Sequence, residues 1–315
     1  MEGKELAKAT VVTEVEPLSS KVYKLPVFRY MTPWSDETPW KAVKSGEYVV
    51  TVSFVLLYDT LWAKRGHEVA FGQGIYTIEK TEDLPDTTDA PMFEIADGTC
   101  NIGVRGMHFE ALFDKGGKGL VSYMYAGKEM IKAIPKPNFW RAPTDNDCGN
   151  QMPYRYAQWK TASLYQQPKE TTITKNDTSV IIRYCYALPT IPESECFVTY
   201  KVTGDGTINT TLEYEAPENI IDMPEFGMLF KFDADLENLT WYGLGPADTY
   251  CDREKGGKLG IYHKKVAENL AEYLVPQECG NHTGVRSVSI TDNKGRGVRF
   301  TGKHLSVNVL PYTPH

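Results

Sequence analysis

The fold is constrained above all by a succession of short runs with the two-residue alternation of β-strands, separated by turns rich in glycine, asparagine and aspartate. The run Tyr48–Leu57 is apolar on both faces, which is typical of an interior strand in a packed sandwich. Gly204-Asp205-Gly206 separates two further runs and favours a tight hairpin, because Asp and Gly tolerate the positive φ of such turns. Helical periodicity is confined to 151–164 and 264–273, with room for one short helix each. The chain is therefore predicted to be all-β.

The first 80 or so residues predict a small immunoglobulin-like sandwich. Residues 8–15 and 21–27 have strand-like composition and flank a turn at 17–20, and the runs 48–57 and 68–78 follow. Four strands match the density of such a sandwich but are too few to complete one.

A change in composition marks the predicted domain boundary. Lys80–Pro91 is rich in acids, threonine and proline and has no periodicity, which is typical of a linker. The division predicts a partial immunoglobulin-like domain over residues 1–85 and a second β domain over residues 92–315. The second domain, at about 220 residues, is too large for one simple sandwich.

Charge and cysteine usage exclude several classes of function. The chain has 34 Lys and Arg against 41 Asp and Glu, without basic clusters, which argues against nucleic acid as a partner. No apolar run approaches the ~20 residues that span a bilayer. The six cysteines form no Cys-x-x-Cys pair, so a zinc site has no support. Because Met1–Glu5 lacks the apolar stretch of a signal peptide, reduced thiols and a cytoplasmic location are expected.

The segment 137–150 is the densest in groups that carry chemistry. Trp140 and Arg141 are followed by carboxylates and amides in a loop with Pro and Gly. This composition suits sugar binding, because the apolar face of a pyranose stacks on rings and its hydroxyls need hydrogen-bond acceptors. The alternative is structural, with Arg141 pairing with Asp145 or Asp147 to hold a long loop in place.

Two later segments, 241–253 and 273–286, also combine aromatics, amides, acids and arginine in turns. A glycosidase needs two carboxyl groups at a fixed separation, and the available acids are Asp145, Asp147, Asp252 and Glu278. The sequence cannot place these carboxyls relative to one another. The sequence shows no Ser-His-Asp pattern of the kind found in catalytic triads.

Four segments, in this order and spacing, resemble the large bacterial β-galactosidases of glycoside hydrolase family 2. They include Leu61-Trp62-Ala63-Lys64 with Gly66-His67-Glu68, and Arg141-Ala142-Pro143-Thr144-Asp145-Asn146-Asp147. Trp241-Tyr242-Gly243 with Gly245-Pro246, and Pro276-Gln277-Glu278 with Gly280-Asn281, complete the set.

The resemblance implies a truncated immunoglobulin-like sandwich followed by a galactose-mutarotase-like β-supersandwich. In this family a catalytic barrel carries the two catalytic glutamates and most ligands of Mg²⁺ and Na⁺. A (β/α)₈ barrel needs about 250 residues of alternating strand and helix, and this chain shows no such alternation. The resemblance therefore implies a non-catalytic part of a retaining β-galactosidase, without a cofactor of its own. Its implied partners are the catalytic barrel of the same polypeptide, the galactoside substrate and further copies of the chain.

Compared with that family, the chain is expected to lack the first strands of the immunoglobulin-like domain. It is also expected to stop before a Gly-Gly-Asp-Asp-Ser-Trp-like segment whose Trp helps to form the galactoside site. Two alternatives stay open: a carbohydrate-binding module, and an aldose-epimerase-like enzyme that uses His282 with Glu278.

The resemblance also assigns roles to residues. Gly149 and Asn150 begin a segment that matches a mobile loop at the mouth of the active site, and the residues before them fix the base of that loop. No catalytic residue and no metal ligand is expected. The residues predicted to contact substrate are Trp140, Arg141, Asp145, Asn146, Asp147, Gly149, Asn150, Trp241, Glu278, Asn281 and His282.

Overall fold

A computed structural model describes residue 3 and residues 5–25, 45–79 and 91–315. Residues 5–25 contain the expected turn at 17–18 but no strand, so the two strands predicted here are wrong where the chain is described. Val12 and Val22 are 87% and 93% exposed. Apart from the turn, the hydrogen bonds that this segment makes to other described residues join Tyr23 to Glu14. An extended run without a neighbouring strand leaves its peptide groups to water. Residues 26–27 of the second predicted strand, and all of the predicted linker except Pro91, lie outside the described residues.

Strands β1 (Gly46–Val55) and β2 (Glu68–Ile78) form an antiparallel hairpin, with Tyr48 opposite Tyr76. Within the described residues β1 pairs with β2 alone, and the two form a two-stranded sheet. The expectation of an interior strand is therefore wrong here, and Phe54 is 53% exposed although it alternates like a core residue. The strands predicted at 48–57 and 68–78 are both present, as β1 and β2.

Residues 91–315 form a set of antiparallel sheets, which confirms the all-β sandwich prediction. The five-stranded sheet runs β3-β4-β5-β6-β7, and a four-stranded sheet runs β12-β11-β10-β9. A second four-stranded sheet has the order β15-β14-β16-β17, and β13 pairs with β8. The strands are β3 (Glu94–Asp97), β4 (Asn101–Arg105), β5 (Phe109–Asp114), β6 (Gly119–Tyr125), β7 (Lys128–Glu129), β8 (Ala133–Asn138), β9 (Gln167–Lys175), β10 (Ser179–Leu188), β11 (Ser194–Thr203), β12 (Ile208–Tyr214), β13 (Gly227–Lys231), β14 (Asn238–Gly245), β15 (Lys258–Lys265), β16 (Asn281–Thr291) and β17 (Gly297–Asn308).

Among the residues that the structure describes, α-helices occur in one connection, between β8 and β9: α1 (Asp145–Gly149), α2 (Met152–Arg155) and α3 (Ala157–Leu164). The last two fill the predicted helical stretch 151–164. The other predicted helix, 264–273, is wrong apart from one 3₁₀ turn at Val266–Asn269. Residues 264 and 265 pair with β14 instead, because the strand ladder continues to Lys265 opposite Asn238.

Two buried clusters form the core. The larger joins the five-stranded sheet, the β9–β12 sheet and the helices around the fully buried Trp159, Phe139 and Tyr184. The smaller lies on the β14–β17 sheet around Trp241 and Val285. Most aromatics of the chain's C-terminal two thirds thus serve packing, as expected of a sandwich.

Polar contacts dock the β1–β2 hairpin on the β14–β17 sheet. The Gln73 carboxamide accepts from the Leu259 N–H at 2.7 Å and donates to the Leu259 carbonyl at 3.1 Å. Lys258 bonds the Glu68 carboxylate, and Arg286 bonds both oxygens of Glu47 at 3.1 and 3.0 Å. Because β15 is an edge strand, Gln73 satisfies peptide groups that no strand of this sheet reaches.

Candidate functional site

The loop after β8 is organised by one ion pair and one helix cap. Thr144 caps α1, with its hydroxyl accepting from the Asp147 N–H at 3.1 Å. Asp147 returns the bond by accepting from the Thr144 N–H at 3.0 Å, and its other oxygen accepts from Arg141 at 2.7 Å. These contacts outweigh burial, so the pKa of Asp147 lies below its usual value. Of the two readings of this loop, the geometry shows Arg141 paired with Asp147 and holding the helix start in place.

The segment 273–280 packs against this helix start. The Asp145 N–H donates to the Pro276 carbonyl at 2.7 Å, and Arg141 lies 3.7 Å from the Glu278 carboxylate. Burial raises the pKa of Glu278, and the raising effect of Asp147 and Asp252 reinforces it against the opposing charge of Arg141. Two of the segments singled out in the sequence therefore meet at Arg141, more than a hundred residues apart in the chain.

A second polar cluster supports the same segment from the loop after β14. Asp248 accepts from the hydroxyls of Tyr250 and Tyr273 at 2.9 and 2.8 Å, and Tyr273 is bonded by Arg253 at 2.5 Å. Tyr250 also donates to the Glu278 carbonyl. Burial, followed by Asp248, raises the pKa of Tyr250, so its hydroxyl stays a proton donor at neutral pH.

The start of β16 lies beside these two polar clusters and is held by its own hydrogen bonds. Asn281 donates from its amide to the Thr249 carbonyl at 2.9 Å and accepts from Ser306 at 3.1 Å. The Thr249 hydroxyl accepts from the Thr283 N–H at 2.9 Å. Asn281 is 8% exposed, and these bonds hold its side chain in place, so it forms part of the cleft's surface.

Between these segments and β2 lies a cavity of about 1100 Å³. Its walls come from α1, the loops 250–254 and 273–278, the start of β16 and the C-terminal part of β17. Ile75 of the hairpin also lines it. Five of the predicted substrate-contacting residues line it: Arg141, Asn146, Asp147, Glu278 and Asn281.

Asp145, Gly149 and Asn150 belong to α1 and its end but do not line the cavity. All three are exposed. Asn150 closes the helix by donating its N–H to the Asn146 carbonyl at 2.9 Å, and its side chain accepts from Arg155 at 2.6 Å.

Three predicted contact residues are core residues instead, and this corrects their assignment. Trp140, Trp241 and His282 are 2%, 1% and 2% exposed, so no ring face is open to a sugar. The His282 ring stacks on Trp241 at 3.9 Å, and its Nε2 lies 3.0 Å from the Asn269 amide oxygen. Burial and the Lys264 charge lower the pKa of His282 to about 4. Because His282 does not line the cavity, the epimerase pairing with Glu278 loses its geometric basis.

Other lining residues were missed as individual candidates. Tyr250, Arg253 and Arg286 lie inside the segments that the sequence singled out, so the composition of those segments was a usable signal. Thr144, the helix cap, was recognisable from Thr144 and Asp147 three residues apart. Ser306 and His304 follow a plain strand pattern, and no local signal marks them.

No group of three His, Cys, Asp or Glu side chains with the geometry of a metal site occurs among the described residues. Asp147 and Glu278 both face Arg141, whose guanidinium already supplies the positive charge there, so this cluster does not fit Mg²⁺ or Na⁺. Within the same residues, no helix has the length and apolar character to cross a membrane.

The architecture defines an all-β protein whose polar cleft is built from loops of a C-terminal sheet. A family model described as the β-galactosidase small chain matches residues 105–315, and a model of β-galactosidase domain 4 matches residues 1–76. The first match covers well over half of the chain. The protein belongs to the β-galactosidase small-chain family.

Curated relatives agree with this membership. The chain is 38% identical to a β-galactosidase of Halalkalibacterium halodurans, over 86% of the chain and 27% of that protein. It is 38% identical to a β-galactosidase of Priestia megaterium, over 86% and 26%. A β-galactosidase small subunit of Latilactobacillus sakei is 30% identical over 69% of the chain and 77% of its own length. The chain thus spans about a quarter of the first two relatives and most of the third.

Proposed function

We propose that the chain is the non-catalytic C-terminal part of a β-galactosidase, which supports the catalytic barrel and completes the entrance to the active site. The observation that carries this proposal is the match to 77% of a small subunit, beside matches to only 27% and 26% of two β-galactosidases. A segment that corresponds to a separate subunit in one relative and to a quarter of others is a unit that joins a catalytic partner.

The environment of Asp147, one of the acids considered for a glycosidase, supports the non-catalytic role. A retaining or inverting glycosidase needs one free carboxylate and one proton-donating carboxyl on opposite sides of the sugar. Both carboxylate oxygens of Asp147 accept hydrogen bonds, one from Arg141 and one from Thr144, which hold the side chain in place. Its lowered pKa keeps the carboxylate charged. It is therefore a poor nucleophile and a poor acid.

In this proposal the two catalytic carboxyls, Mg²⁺ and Na⁺ belong to the rest of the enzyme, together with the galactoside site. The exposed end of α1, at Gly149 and Asn150, faces the substrate entrance. A cytoplasmic location completes the proposal. All six cysteines are free thiols, as is usual in a reducing compartment.

Hydrolysis of nitrophenyl β-galactoside tests the proposal. The purified chain alone is expected to show no turnover above a buffer blank. In a second arm, the matched segment of the Halalkalibacterium halodurans relative is deleted, and its activity is measured with and without this chain added. Recovery of turnover on adding the chain supports the proposed role.

Two outcomes contradict the proposal. The first is turnover by the chain alone that Glu278→Gln abolishes and Glu272→Gln leaves intact, since Glu272 is exposed and does not line the cavity. The second is a deleted relative that keeps full activity without any replacement. For the entrance, Asn150→Ala in the recovered enzyme is expected to change KM more than kcat.

A further inference from the structure

Residues 270–277, the apolar loop, lie between β15 and β16 and present apolar side chains to solvent. Leu270, Leu274 and Val275 are exposed, and the 105% exposure of Leu274 means that no described residue covers it. A shallow cavity of about 340 Å³ is lined by residues of this loop. Single exposed leucines are common, whereas several apolar residues in one stretch around a cavity are typical of an interaction surface.

Hydrogen bonds to other parts of the chain hold the apolar loop in place. The Tyr273 hydroxyl donates to Asp248 at 2.8 Å, and the Pro276 carbonyl accepts from the Asp145 N–H at 2.7 Å. The two exposed aliphatic residues 274 and 275 lie between these fixed points. A surface that is already ordered loses less conformational entropy on association, so the apolar loop is pre-organised for a partner.

The edge of the apolar loop is acidic. Three glutamates and no lysine or arginine occur from residue 268 to residue 278, and Glu268 and Glu272 are exposed. Arg253 of a neighbouring segment is paired with Asp248 at 3.7 Å. An apolar centre with a polar edge is the usual arrangement of a protein–protein interface. The complementary partner carries an apolar side chain that enters the cavity, with basic residues around it.

The acidic edge discriminates between the possible occupants of this surface. Two copies of the chain that met loop against loop would bring the same glutamates together, and like charges oppose such a contact. An anionic membrane surface is disfavoured for the same reason. The edge therefore favours a different polypeptide that carries basic residues.

The length of the relatives indicates which polypeptide this is. The chain corresponds to 27% and 26% of two β-galactosidases and to 77% of a separate small subunit. About three quarters of each of those two enzymes therefore lies outside the matched region. We infer that the apolar loop is the docking surface for the catalytic part of a β-galactosidase, through an apolar contact at Leu274 and Val275. This inference rests on the proposed function and adds the surface that makes the contact.

Biolayer interferometry with the full 315-residue chain immobilised tests this inference. The probe in solution is the Halalkalibacterium halodurans relative from which the matched segment is deleted, and saturable binding by the wild type is expected. Leu274→Asp and Val275→Asp each place a carboxylate in the apolar contact, and each is expected to weaken binding at least about tenfold. Glu272→Lys reverses one charge of the acidic edge and is expected to weaken binding about threefold at low salt.

Leu18→Asp is the matched control, because it makes the same substitution at a leucine that is 110% exposed on another segment. It is expected to bind like the wild type. Leu274→Met keeps an apolar side chain of similar volume and is expected to stay within about twofold of the wild type. Thermal melts of every variant report whether each is folded.

Three results overturn the inference. The first is equal binding by Leu274→Asp and Leu18→Asp. The second is a wild-type chain that forms a dimer in gel filtration while Leu274→Asp is a monomer, since a second copy would then occupy the loop. The third is sedimentation of the wild type, but not of Leu274→Asp, with phosphatidylcholine vesicles.

Turnover separates failure of this inference from failure of the proposed function. The chain is added to the deleted relative at a concentration near the wild-type Kd, and hydrolysis of nitrophenyl β-galactoside is measured. If Leu274→Asp restores hydrolysis as well as the wild type does, the docking surface is wrong and the proposed function stands. If the wild type neither binds the deleted relative nor restores hydrolysis, the proposed function fails and this inference fails with it.

Discussion

The β1–β2 hairpin and the β9–β12 sheet have similar sequence patterns and opposite environments. Tyr184 and Tyr200 in the four-stranded sheet are fully buried, whereas Phe54 and Tyr76 of the hairpin are 53% and 52% exposed. The sheet has the five-stranded sheet and the helices to pack against, and the hairpin is attached through polar side chains. Alternating apolar residues thus predict a strand, but the number of packing partners decides whether they form a core.

The largest contrast is expected between two tryptophans. Trp159→Ala removes a fully buried indole from the larger core and is expected to lower the free energy of unfolding by about 3–5 kcal/mol. Trp62→Ala, at a 68% exposed position beside the hairpin, is expected to cost less than about 1 kcal/mol. Urea denaturation followed by circular dichroism measures both. Similar losses for the two variants would break the comparison.

The pH dependence of stability is expected to contain two opposing groups. His282 has a folded-state pKa of about 4 against an ordinary value of 6.5. The unfolded chain therefore binds its proton first, and stability is lost as pH falls from about 6.5 to 4, by about 3 kcal/mol. Burial and the Glu278 charge raise the pKa of Glu225 to about 7, so its contribution is lost instead as pH rises from 4.5 to 7.

Unfolding measured from pH 4.5 to 7 separates the two groups. Relative to the wild type, the His282→Gln stability should fall more steeply as pH rises, and the Glu225→Gln stability should rise more steeply. The Glu225 effect is the smaller one, because its side chain keeps an exposed face. A pH profile that His282→Gln leaves unchanged would show that the ring is not held neutral by its burial.

A smaller effect is expected at the ion pair that docks the hairpin. Glu47 and Arg286 are about one quarter exposed, and Arg286 bonds both carboxylate oxygens. A double-mutant cycle with Glu47→Gln and Arg286→Gln is expected to give a coupling energy of about 1 kcal/mol. In either variant, hydrogen exchange relative to the wild type should become faster in β1 and β2 than in β10. Unchanged exchange in the hairpin would mean that this pair does not dock it.

The smallest effect is expected from Gln73→Ala. It removes two hydrogen bonds to Leu259 but leaves an edge that water can reach, so the cost is about 0.5–1 kcal/mol. Limited proteolysis of the hairpin should rise only slightly. Gln73→Glu keeps the length and the acceptor but loses the donor, and should lie between the wild type and the alanine variant.

Much of the fold can be predicted from the sequence because turn and helix-cap residues act on their immediate neighbours. The turn at Gly204-Asp205-Gly206 forms as predicted, with Gly206 at φ +88 and Asp205 accepting from the Thr207 N–H at 3.0 Å. Pairs such as Thr144 and Asp147 also define their own geometry. Such features depend only on neighbours in the chain.

The predictions that failed concern features that depend on contacts between residues distant in the chain. The strands predicted at 8–15 and 21–27 find no partner in the described structure, so alternation alone could not form them. Trp241 was assigned to a sugar because its segment combines aromatics, amides, acids and arginine in turns, yet the glycines beside it allow close packing. A Cβ on Gly243 would lie 2.7 Å from Val285 of the next strand, and one on Gly245 would lie 3.1 Å from the Trp241 ring. Arg141 and Glu278, which line the cavity, lie in loops with several polar groups at once.

The Gln73 contact has a consequence for how the chain behaves in a crowded solution. A carboxamide offers the same donor and acceptor as a peptide unit, so Gln73 gives Leu259 what a neighbouring strand would give it. The outer side of β15 is thereby occupied at this residue. Another molecule that tried to extend the sheet by one strand would have to displace the hairpin first, so the docked hairpin also works as a guard against edge-to-edge aggregation.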